Sequence, residues 1–455
     1  MKNYLLLLIS LLFFGVGVSA QSLHDRQSRG APDWFKKGIT YQISPRQMSE
    51  EGTLKGAEAH LERLRDLGID IIYLCPVNVA DTDMDQTYWS PRQIKSGFND
   101  PRNPYRAGDY FHVDSEYGND QDLKDFIDHA HALGIRVMLD LVFFHCGPGA
   151  QVVKQHPEFF KYDKDGNFNR GEWSFPVFDY SRKDVREYMK TVMQYYIADF
   201  NVDGFRLDVG DLIPLDFWED ARKTIDIMNP DLVMVGEASD PTYTLYAWNA
   251  NYGREICYPM INYLKKSVSD MEACDASTIR KAHEKQINAC PKNMLFWNFL
   301  ENHDIALDSY NDRFEKVLGY DRCTLGMAFI FAIDGTPFIY NGMEVCYDKL
   351  CSMFGHKGSW VNWKDYIDTP HARERMANIK SWAAMRKANS ALTHGETVWI
   401  DNDQPKAVIS FKRHDGVSPD VVFVGNFSDK KVKVRLADGT KYKINPWGFV
   451  FTEAK

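Results

Sequence analysis

The stretch Asp203-Gly-Phe-Arg-Leu-Asp-Val209 decides the fold class, because it combines a buried strand with charged side chains on one of its two faces. Alternate side chains of a strand point to opposite sides, so Arg206 and Asp208 share one face and the apolar residues take the other. A nearby positive charge lowers the pKa of a carboxyl group, so Arg206 is predicted to keep Asp208 ionised. A structural ion pair at a strand end would give the same local pattern. The neighbouring strands decide between these two interpretations.

A helical segment followed by a strand recurs along most of the chain. Glycines such as Gly68 and Gly134 separate the two, since glycine readily takes the backbone conformation that ends a helix. Strands that alternate with helices imply parallel β-α-β units, and their continuous apolar character implies burial on both faces. Strand-like segments occupy 38–43, 69–74, 135–142, 204–209, 232–237, 294–300 and 336–340.

Eight such units would form a (β/α)8 TIM barrel, an α/β fold, and this is the predicted architecture. An open doubly wound sheet is the alternative. It is disfavoured because no glycine-rich phosphate loop follows a strand and because polar residues gather at the ends of many strands. The barrel is predicted to occupy 21–390, with a small inserted subdomain after strand 3 at about 146–182. Short alternating segments with Asp-Gly turns then predict an antiparallel β-sandwich domain over 391–455.

The first twenty residues have the pattern of a signal peptide. Lys2 precedes an apolar run at 5–18, and Val18-Ser-Ala20 is a small-residue cleavage site. The mature chain is therefore predicted to begin near Gln21 and to be exported, to the periplasm or the medium. The apolar run is short for a membrane span, and no other stretch approaches that length, so no membrane span is predicted.

Composition narrows the partners and the cysteine chemistry. The net charge is −9 and no long basic run is present, which argues against nucleic acid as a partner. The eight cysteines form no CxxC pair or zinc pattern, although Cys274 with Cys290 and Cys346 with Cys351 are possible bridges. No oligomeric state is predicted.

Four strand ends carry polar side chains, and three of them supply a carboxylate. In a barrel the carboxyl ends of the strands meet on one face, so Asp208, Glu237 and Asp304 would face a common centre. Cleavage of a glycosidic bond requires paired carboxylates, one to attack or stabilise the sugar cation and one to protonate the departing oxygen. A single motif could be a surface acid, but four in order favour a glycoside-cleaving site. The four segments are 140–145, 204–208, 236–237 and 301–304.

These motifs resemble those of the α-amylase family of glycoside hydrolases, family thirteen, over nearly all of the mature chain. Segment 38–45 is similar to the family's first-strand motif, the four strand ends to its signature regions, and 335–344 to its eighth-strand exit. The resemblance implies that Asp208 is the nucleophile, Glu237 the acid/base, and Asp304 the carboxylate that holds the hydroxyls of the reacting sugar.

The resemblance also implies four substrate contacts and a reaction. Arg206, His145 and His303 would contact the same sugar and Tyr105 would be a stacking platform, with core histidines and a loop tyrosine as the alternatives. The implied enzyme is a retaining hydrolase of α-glucosidic bonds in malto-oligosaccharides or related α-glucans, with its two reacting carboxyls about 5–5.5 Å apart. Glu237 would be protonated through burial and neighbouring negative charge.

Two other functions are compatible with the same scaffold. A transglycosylase or isomerase would differ only in whether water or a sugar accepts the glucosyl group. A non-catalytic glycan-binding protein could keep the fold without the reaction, although the intact carboxylates argue against it.

Three positions depart from the family pattern. Phe144 stands where the family usually has an asparagine that binds calcium, and Arg106 stands where an aspartate usually follows the tyrosine. A phenyl ring offers no oxygen, so no metal site is assigned and no cofactor is required, with calcium possible but not indicated. Asp211-Leu212 replaces a Lys-His pair on the leaving-group side, which predicts a preference for short substrates.

The acidic segment Asp81-Thr-Asp-Met-Asp85 could hold a cation, but it lacks the glycine and terminal glutamate of a helix–loop–helix calcium site. A solvated acidic loop is the interpretation favoured here.

Overall fold

A computed structural model describes residues 22–309, 313–355 and 359–454, so the predicted signal peptide lies outside the described residues. Eight parallel strands close into a barrel in chain order, and β1 pairs with β8 to complete the ring. The predicted (β/α)8 barrel is confirmed. Its strands are β1 Thr40–Ile43, β2 Ile71–Leu74, β3 Arg136–Leu141, β4 Gly204–Leu207, β5 Val233–Gly236, β6 Ala250–Tyr252, β7 Leu295–Phe299 and β8 Thr336–Tyr340.

Helices connect the successive strands, and local sequence signals set several of their ends. Gly68 and Gly134 end helices with φ values of 97° and 76°, as the sequence predicted. Asn119 and Asp122 form a capping box at the start of α6. The helices are α1 Asp33–Lys37, α2 Pro45–Met48, α3 Leu54–Glu58, α4 Leu61–Leu67, α5 Pro91–Ser96, α6 Asp120–Ala132, α7 Gln151–Gln155, α8 Lys183–Phe200, α9 Leu215–Met228, α10 Arg254–Ser269, α11 Ser277–Ala289, α12 His303–Ser309, α13 Phe314–Leu318, α14 Tyr320–Ala332, α15 Trp363–Tyr366 and α16 Pro370–Ala388.

Aromatic rings fill the interior of the barrel. Trp297 lies at its centre, with ring centroids 5.2 Å from Tyr73, 5.6 Å from Tyr252 and 5.0 Å from Phe338. All four side chains are buried. A filled interior leaves no pore, so the polar groups of the barrel gather at the carboxyl ends of the strands.

The strand that the sequence did not indicate is β6. It is only three residues long, and its central residue, Asn251, is polar. It still pairs in parallel with both neighbours, since Val235 pairs with Ala250 and Tyr252 with Trp297. Its brevity removed the apolar signal by which the other seven strands were found.

The inserted segment after β3 forms a small irregular unit ahead of α8, as predicted. It contains α7 and two short antiparallel bridges, one from Phe160 to Phe178 and one from Tyr162 to Phe168. The rings of Phe160 and Phe178 lie 4.6 Å apart and hold two segments of the unit together. A further bridge, from His145 to Val177, joins the unit to the carboxyl end of β3.

The C-terminal region is antiparallel β structure, as predicted. A four-stranded sheet in the order β14-β11-β10-β9 packs on the barrel, because Phe329 of α14 contacts Phe411 and Phe423 while Trp382 of α16 contacts Phe449. A two-stranded ribbon, β12 with β13, shares a small apolar core with the sheet. The strands are β9 Glu396–Trp399, β10 Val408–His414, β11 Val421–Asn426, β12 Val432–Arg435, β13 Lys441–Ile444 and β14 Phe449–Glu453.

Neither possible disulfide is formed, since all eight cysteines are free thiols. Among the helices of the described residues, none has both the length and the apolar character that crossing a bilayer demands.

Candidate active site

The three predicted carboxylates line one cavity at the carboxyl ends of the strands. Asp208 directly follows β4, Glu237 directly follows β5, and Asp304 lies in the first turn of α12, shortly after β7. The cavity measures about 340 Å³, which is within the range of small-molecule sites. His145, His303 and Tyr105 line the same cavity, and Arg206 lies beneath it. All seven residues predicted from sequence are therefore brought together.

Arg206 connects the carboxylates below the cavity. Its Nη1 donates to Asp208 Oδ1 at 2.7 Å and to Asp140 Oδ1 at 2.9 Å, and its Nη2 donates to Glu237 Oε2 at 2.5 Å. The guanidinium carbon also lies 5.3 Å from the ring centre of Tyr252. A buried arginine needs such compensation, since an unpaired buried charge is costly. The network fixes Asp208 and Glu237 relative to each other.

The backbone between these two carboxylates adds a further contact. Val209 has φ 40°, a left-handed conformation that is rare for a β-branched residue. This turn directs the Val209 N–H to Glu237 Oε2, at 3.2 Å. The strained backbone at Val209 therefore helps to hold the Glu237 carboxyl group in place.

The net pKa shift of the nucleophile candidate is opposite in direction to the one that Arg206 alone would cause. Burial raises the pKa of the Asp208 carboxyl well above its ordinary value, against the opposing charge of Arg206 and with support from Glu237 and Asp140. Arg206 lowers the pKa of Asp208, as expected, but burial shifts it further in the opposite direction. Arg206 also shares its single charge among three carboxylates.

Glu237 also has surroundings that the sequence did not predict. Arg254, the first residue of α10, places its Nη2 against Glu237 Oε1 while Arg206 holds Oε2. The expected protonation of Glu237 stays a prediction. The two arginines contact different oxygens of the same carboxyl group.

Asp304 is paired with a third arginine. Arg92 Nη1 donates to Asp304 Oδ1 at 2.5 Å, and His303 Nε2 lies 3.5 Å from Oδ2. Burial opposes ionisation, but the positive charges of a protonated His303 and of Arg92 outweigh it and lower the pKa of Asp304 to about 2. Burial also lowers the pKa of His303, so at neutral pH the positive charge near Asp304 comes from Arg92, with Arg206 and Arg254. Asp304 is thus an ionised acceptor for hydroxyl groups.

Tyr105 and His303 form one wall of the cavity. Their rings are stacked, with centroids 5.2 Å apart and planes 7° from parallel. The Tyr105 hydroxyl donates to Asp140 Oδ2 at 2.8 Å and lies 2.9 Å from His303 Nε2. Gln42 donates to His303 Nδ1 at 2.6 Å, which fixes the ring orientation. One face of the Tyr105 ring is therefore occupied by His303.

His145 joins the inserted segment to the cavity. Its Nε2 lies 3.1 Å from the Tyr105 carbonyl oxygen, and its ring packs 4.8 Å from Phe175 and 5.6 Å from Trp173. Burial lowers the pKa of His145 to about 4, so the ring is neutral at pH 7 and Nε2 carries the donated proton. Trp173 and Phe175 line the cavity together with His145.

Sequence reasoning missed Arg92, Arg254 and Tyr252 as site residues. Arg92 lies in α5, a six-residue helix within the long connection after β2, and so short a helix gives no clear periodic signal. Tyr252 belongs to β6 and Arg254 follows it within two residues, so finding β6 would have indicated both.

The residues at the position of the family's usual calcium site do not fit a calcium ion. Phe144 packs against Trp173, with ring centroids 6.2 Å apart, and supplies no oxygen. In the part of the chain that the structure describes, no group of three or more acidic, histidine or cysteine side chains could hold a metal ion.

Arg106 occupies the place where several oxygens of the nearby loop converge. It is fully buried and donates to the Asp83 carbonyl at 2.7 Å, the Tyr88 carbonyl at 2.9 Å and the Asp81 carboxylate at 3.3 Å. Asp81 is itself buried and accepts the Gly149 N–H at 2.5 Å. The expected solvated acidic loop is therefore wrong for Asp81, because Arg106 provides a buried positive partner.

Comparisons with known proteins agree with this geometry. A family model described as the alpha amylase catalytic domain matches residues 30–165 and 168–416. A cyclomaltodextrinase from a Bacillus species is 26% identical over 444 residues, covering 87% of this chain and 74% of that protein. An intracellular maltogenic amylase from Bacillus subtilis is 25% identical over 439 residues, covering 86% of this chain and 68% of its own length.

A solved structure is similar over almost the whole chain. The crystal structure of a noncanonic maltogenic alpha-amylase from Thermotoga neapolitana has a TM-score of 0.75 and 26% sequence identity, covering 92% of this chain and 97% of that one.

Proposed function

The chain belongs to the alpha-amylase family of glycoside hydrolases, and from that premise we propose that it is an exported retaining hydrolase of α-glucosidic bonds in short malto-oligosaccharides. The observation that carries the proposal is the convergence of Asp208, Glu237 and Asp304 on one cavity, with Arg206 bonded to the first two. Paired carboxylates of this kind are what glycoside cleavage by double displacement requires.

In the first half of the reaction, an Asp208 oxygen attacks the anomeric carbon. The glycosidic C–O bond breaks, and its oxygen takes the proton of Glu237 and leaves as an alcohol. The product of this step is a glucosyl ester of Asp208. Asp304, ionised because its pKa is about 2, accepts hydrogen bonds from the sugar's hydroxyls.

In the second half, Glu237 acts as a base. It takes a proton from water as the water oxygen attacks the same carbon, and the ester bond to Asp208 breaks. One water molecule is consumed, Glu237 regains its proton, and two inversions retain the anomeric configuration.

The walls of the cavity support a short substrate. Leu212 lines the cavity, and Asp211 Oδ2 accepts a hydrogen bond from the Ser239 N–H at 2.8 Å. Trp173 and Phe354 close two further sides. Leu212 offers no hydrogen bond to a sugar, and one Asp211 oxygen is already engaged by a backbone N–H.

The proposal is tested by incubating the pure protein with maltose, maltotriose, isomaltose, trehalose and starch and by resolving the products over time. Release of glucose or maltose whose first-formed anomer is α, seen by proton magnetic resonance, is the expected result. A β anomer as first product contradicts the retaining mechanism. Accumulation of oligosaccharides longer than the substrate indicates transglycosylation instead. If none of the five substrates is cleaved, the proposed hydrolysis is contradicted.

Export is part of the proposal and rests on the first twenty residues alone. The Bacillus subtilis relative is named intracellular, which is a statement about that protein. Sequencing the N-terminus of protein from the periplasm and the medium tests it, with a start near Gln21 expected. A cytoplasmic protein that keeps Met1 contradicts export.

A further inference from the structure

Arg254 is a cation inside the cavity whose role the proposed reaction leaves unused. It begins α10 two residues after β6, at the end of the barrel that carries the carboxylates. Its side chain is 29% exposed, lines the cavity, and pairs with Glu237 through Nη2. Within the described parts of the chain, its Nε is buried and has no hydrogen-bond partner.

The Arg254 contact works against the proposed role of Glu237. A general acid must carry a proton towards the glycosidic oxygen, whereas an ion pair with arginine favours the bare carboxylate. Arg206 already pairs with the other oxygen of Glu237 and cannot move, because it is fully buried among Asp140, Asp208 and Tyr252.

The nucleophile has the opposite problem. Burial raises the pKa of the Asp208 carboxyl well above its ordinary value, although the charge of Arg206 opposes the shift. The reaction needs Asp208 ionised and the proton on Glu237. Moving Arg254 away from Glu237 removes a positive charge from Glu237 and so favours that arrangement.

We infer that Arg254 binds an anionic group, a carboxylate or a phosphate, carried by the sugar on the leaving-group side of the scissile bond. A guanidinium has donors in a planar fork that such groups accept in pairs. The anion would exchange one ion pair of Arg254 for another and would free Glu237 to hold its proton. A neutral substrate offers no such exchange. The inference rests on the proposed function and adds the substrate class.

The surroundings of Arg254 suit a group of this size on the leaving-group side. Leu212, which also lines the cavity, carries no charge, and the carboxylate of Asp211 is held by the Ser239 N–H. The ring centre of Tyr252 lies 5.8 Å from the Arg254 guanidinium carbon and supports its position.

The experiment compares maltobionate with maltitol, which share the α-1,4 bond and an open-chain leaving group and differ in a carboxylate. Binding is measured by calorimetry on the Asp208→Asn protein, which cannot turn either compound over. Maltobionate is expected to bind at least about tenfold more tightly than maltitol. A second pair, maltose 1-phosphate and maltose, distinguishes phosphate from carboxylate.

Variants assign the effect to Arg254. When Arg254→Gln is added to the Asp208→Asn protein, maltobionate and maltitol are expected to bind about equally. Arg254→Lys is expected to keep part of the preference for maltobionate. Arg280→Gln is the matched control. Arg280 lies on α11, paired with Asp401 and Glu284 away from the cavity, so the ratio of the two affinities should not change. Equal binding of the two compounds, or a preference that survives Arg254→Gln, overturns the inference.

Kinetics on the otherwise unchanged enzyme separate this inference from the proposed function. Arg254→Gln should lower the ratio of kcat/KM for maltobionate to kcat/KM for maltitol, whatever its effect on each value alone. Hydrolysis of maltose without any preference for the anionic compound overturns the inference alone. Binding of maltobionate through Arg254 without hydrolysis of any compound overturns the proposed function alone.

Discussion

At the scale of single residues, three arginines cover the three carboxylates of the cavity. Arg206 donates hydrogen bonds to Asp208 and Glu237. Arg92 donates to Asp304, and Arg254 donates to Glu237. Fixed charge of this kind orients the acids before substrate arrives, so little reorganisation remains for the reaction itself.

Replacing either reacting carboxyl should lower turnover by several orders of magnitude. Asp208→Asn removes the atom that bonds the sugar, and Glu237→Gln removes the proton donor, so the loss should appear in kcat. Both variants keep the side-chain size and should keep the melting temperature within a few degrees. Asp199→Asn, at an exposed position of α8, is the isosteric control. Near-normal kcat in either site variant, with contaminating enzyme excluded, removes that residue from the mechanism.

Substrate length is also decided by single residues. Asp211 and Leu212 offer few hydrogen bonds to sugars beyond the first, and each missing bond weakens binding by about 0.5–1.5 kcal/mol. α9 begins at Leu215, directly after Pro214, which stiffens the segment. Higher kcat/KM on short oligosaccharides than on starch is therefore expected. Trp173 lines the cavity and could stack on a further sugar, whereas Trp89 is buried. A steep rise in kcat/KM with each glucose from maltose to maltoheptaose contradicts the prediction.

At the scale of elements, Arg106 stabilises the loop between β2 and α6. We expect a chelator to leave activity and melting temperature unchanged, because a guanidinium occupies the oxygen cluster near Asp81. Arg106→Ala should lower the free energy of unfolding by about 2–5 kcal/mol, since it leaves a buried carboxylate without its cation. Thermal melts with and without chelator measure both effects. A large chelator-induced loss that calcium reverses in the unchanged protein contradicts this account.

Element length explains which parts of the fold and site sequence could predict. Seven of the eight barrel strands could be predicted. Their apolar runs, such as that of β3, are long, and glycine often marks the end of the helix before them. β6 has only three residues and a polar centre, so it shows no apolar pattern that sequence analysis could detect. Arg254, which follows β6, was missed for the same reason. The burial of Arg106 and Trp89 was also not predictable, because loop contacts arise from distant parts of the chain. The carboxylates were found because strand ends converge by topology alone.

At the scale of the whole molecule, two histidines with lowered pKa values tie stability to pH. Burial lowers the pKa of His145 and of His60 from 6.5 to about 4. Below pH 6.5 the unfolded chain takes up protons that the folded chain does not accept until about pH 4, so stability falls as the pH drops through this window.

Melting temperature measured from pH 7 to pH 4 tests this relation. We expect a smaller acid-induced fall for His145→Gln than for the unchanged protein, because one shifted histidine is removed while an amide can still donate to the Tyr105 carbonyl. Identical pH profiles for the two proteins would exclude His145 as a contributor.

The central claim is that Asp208 forms a covalent bond to the sugar. A fluorinated α-glucosyl fluoride that slows the second step traps this ester, and mass spectrometry of the digested protein locates it. The peptide that contains 203–209 should carry one fluoroglucosyl group on Asp208, and Asp208→Asn should carry none. A label on another residue, or no label on protein that hydrolyses maltose, contradicts the account.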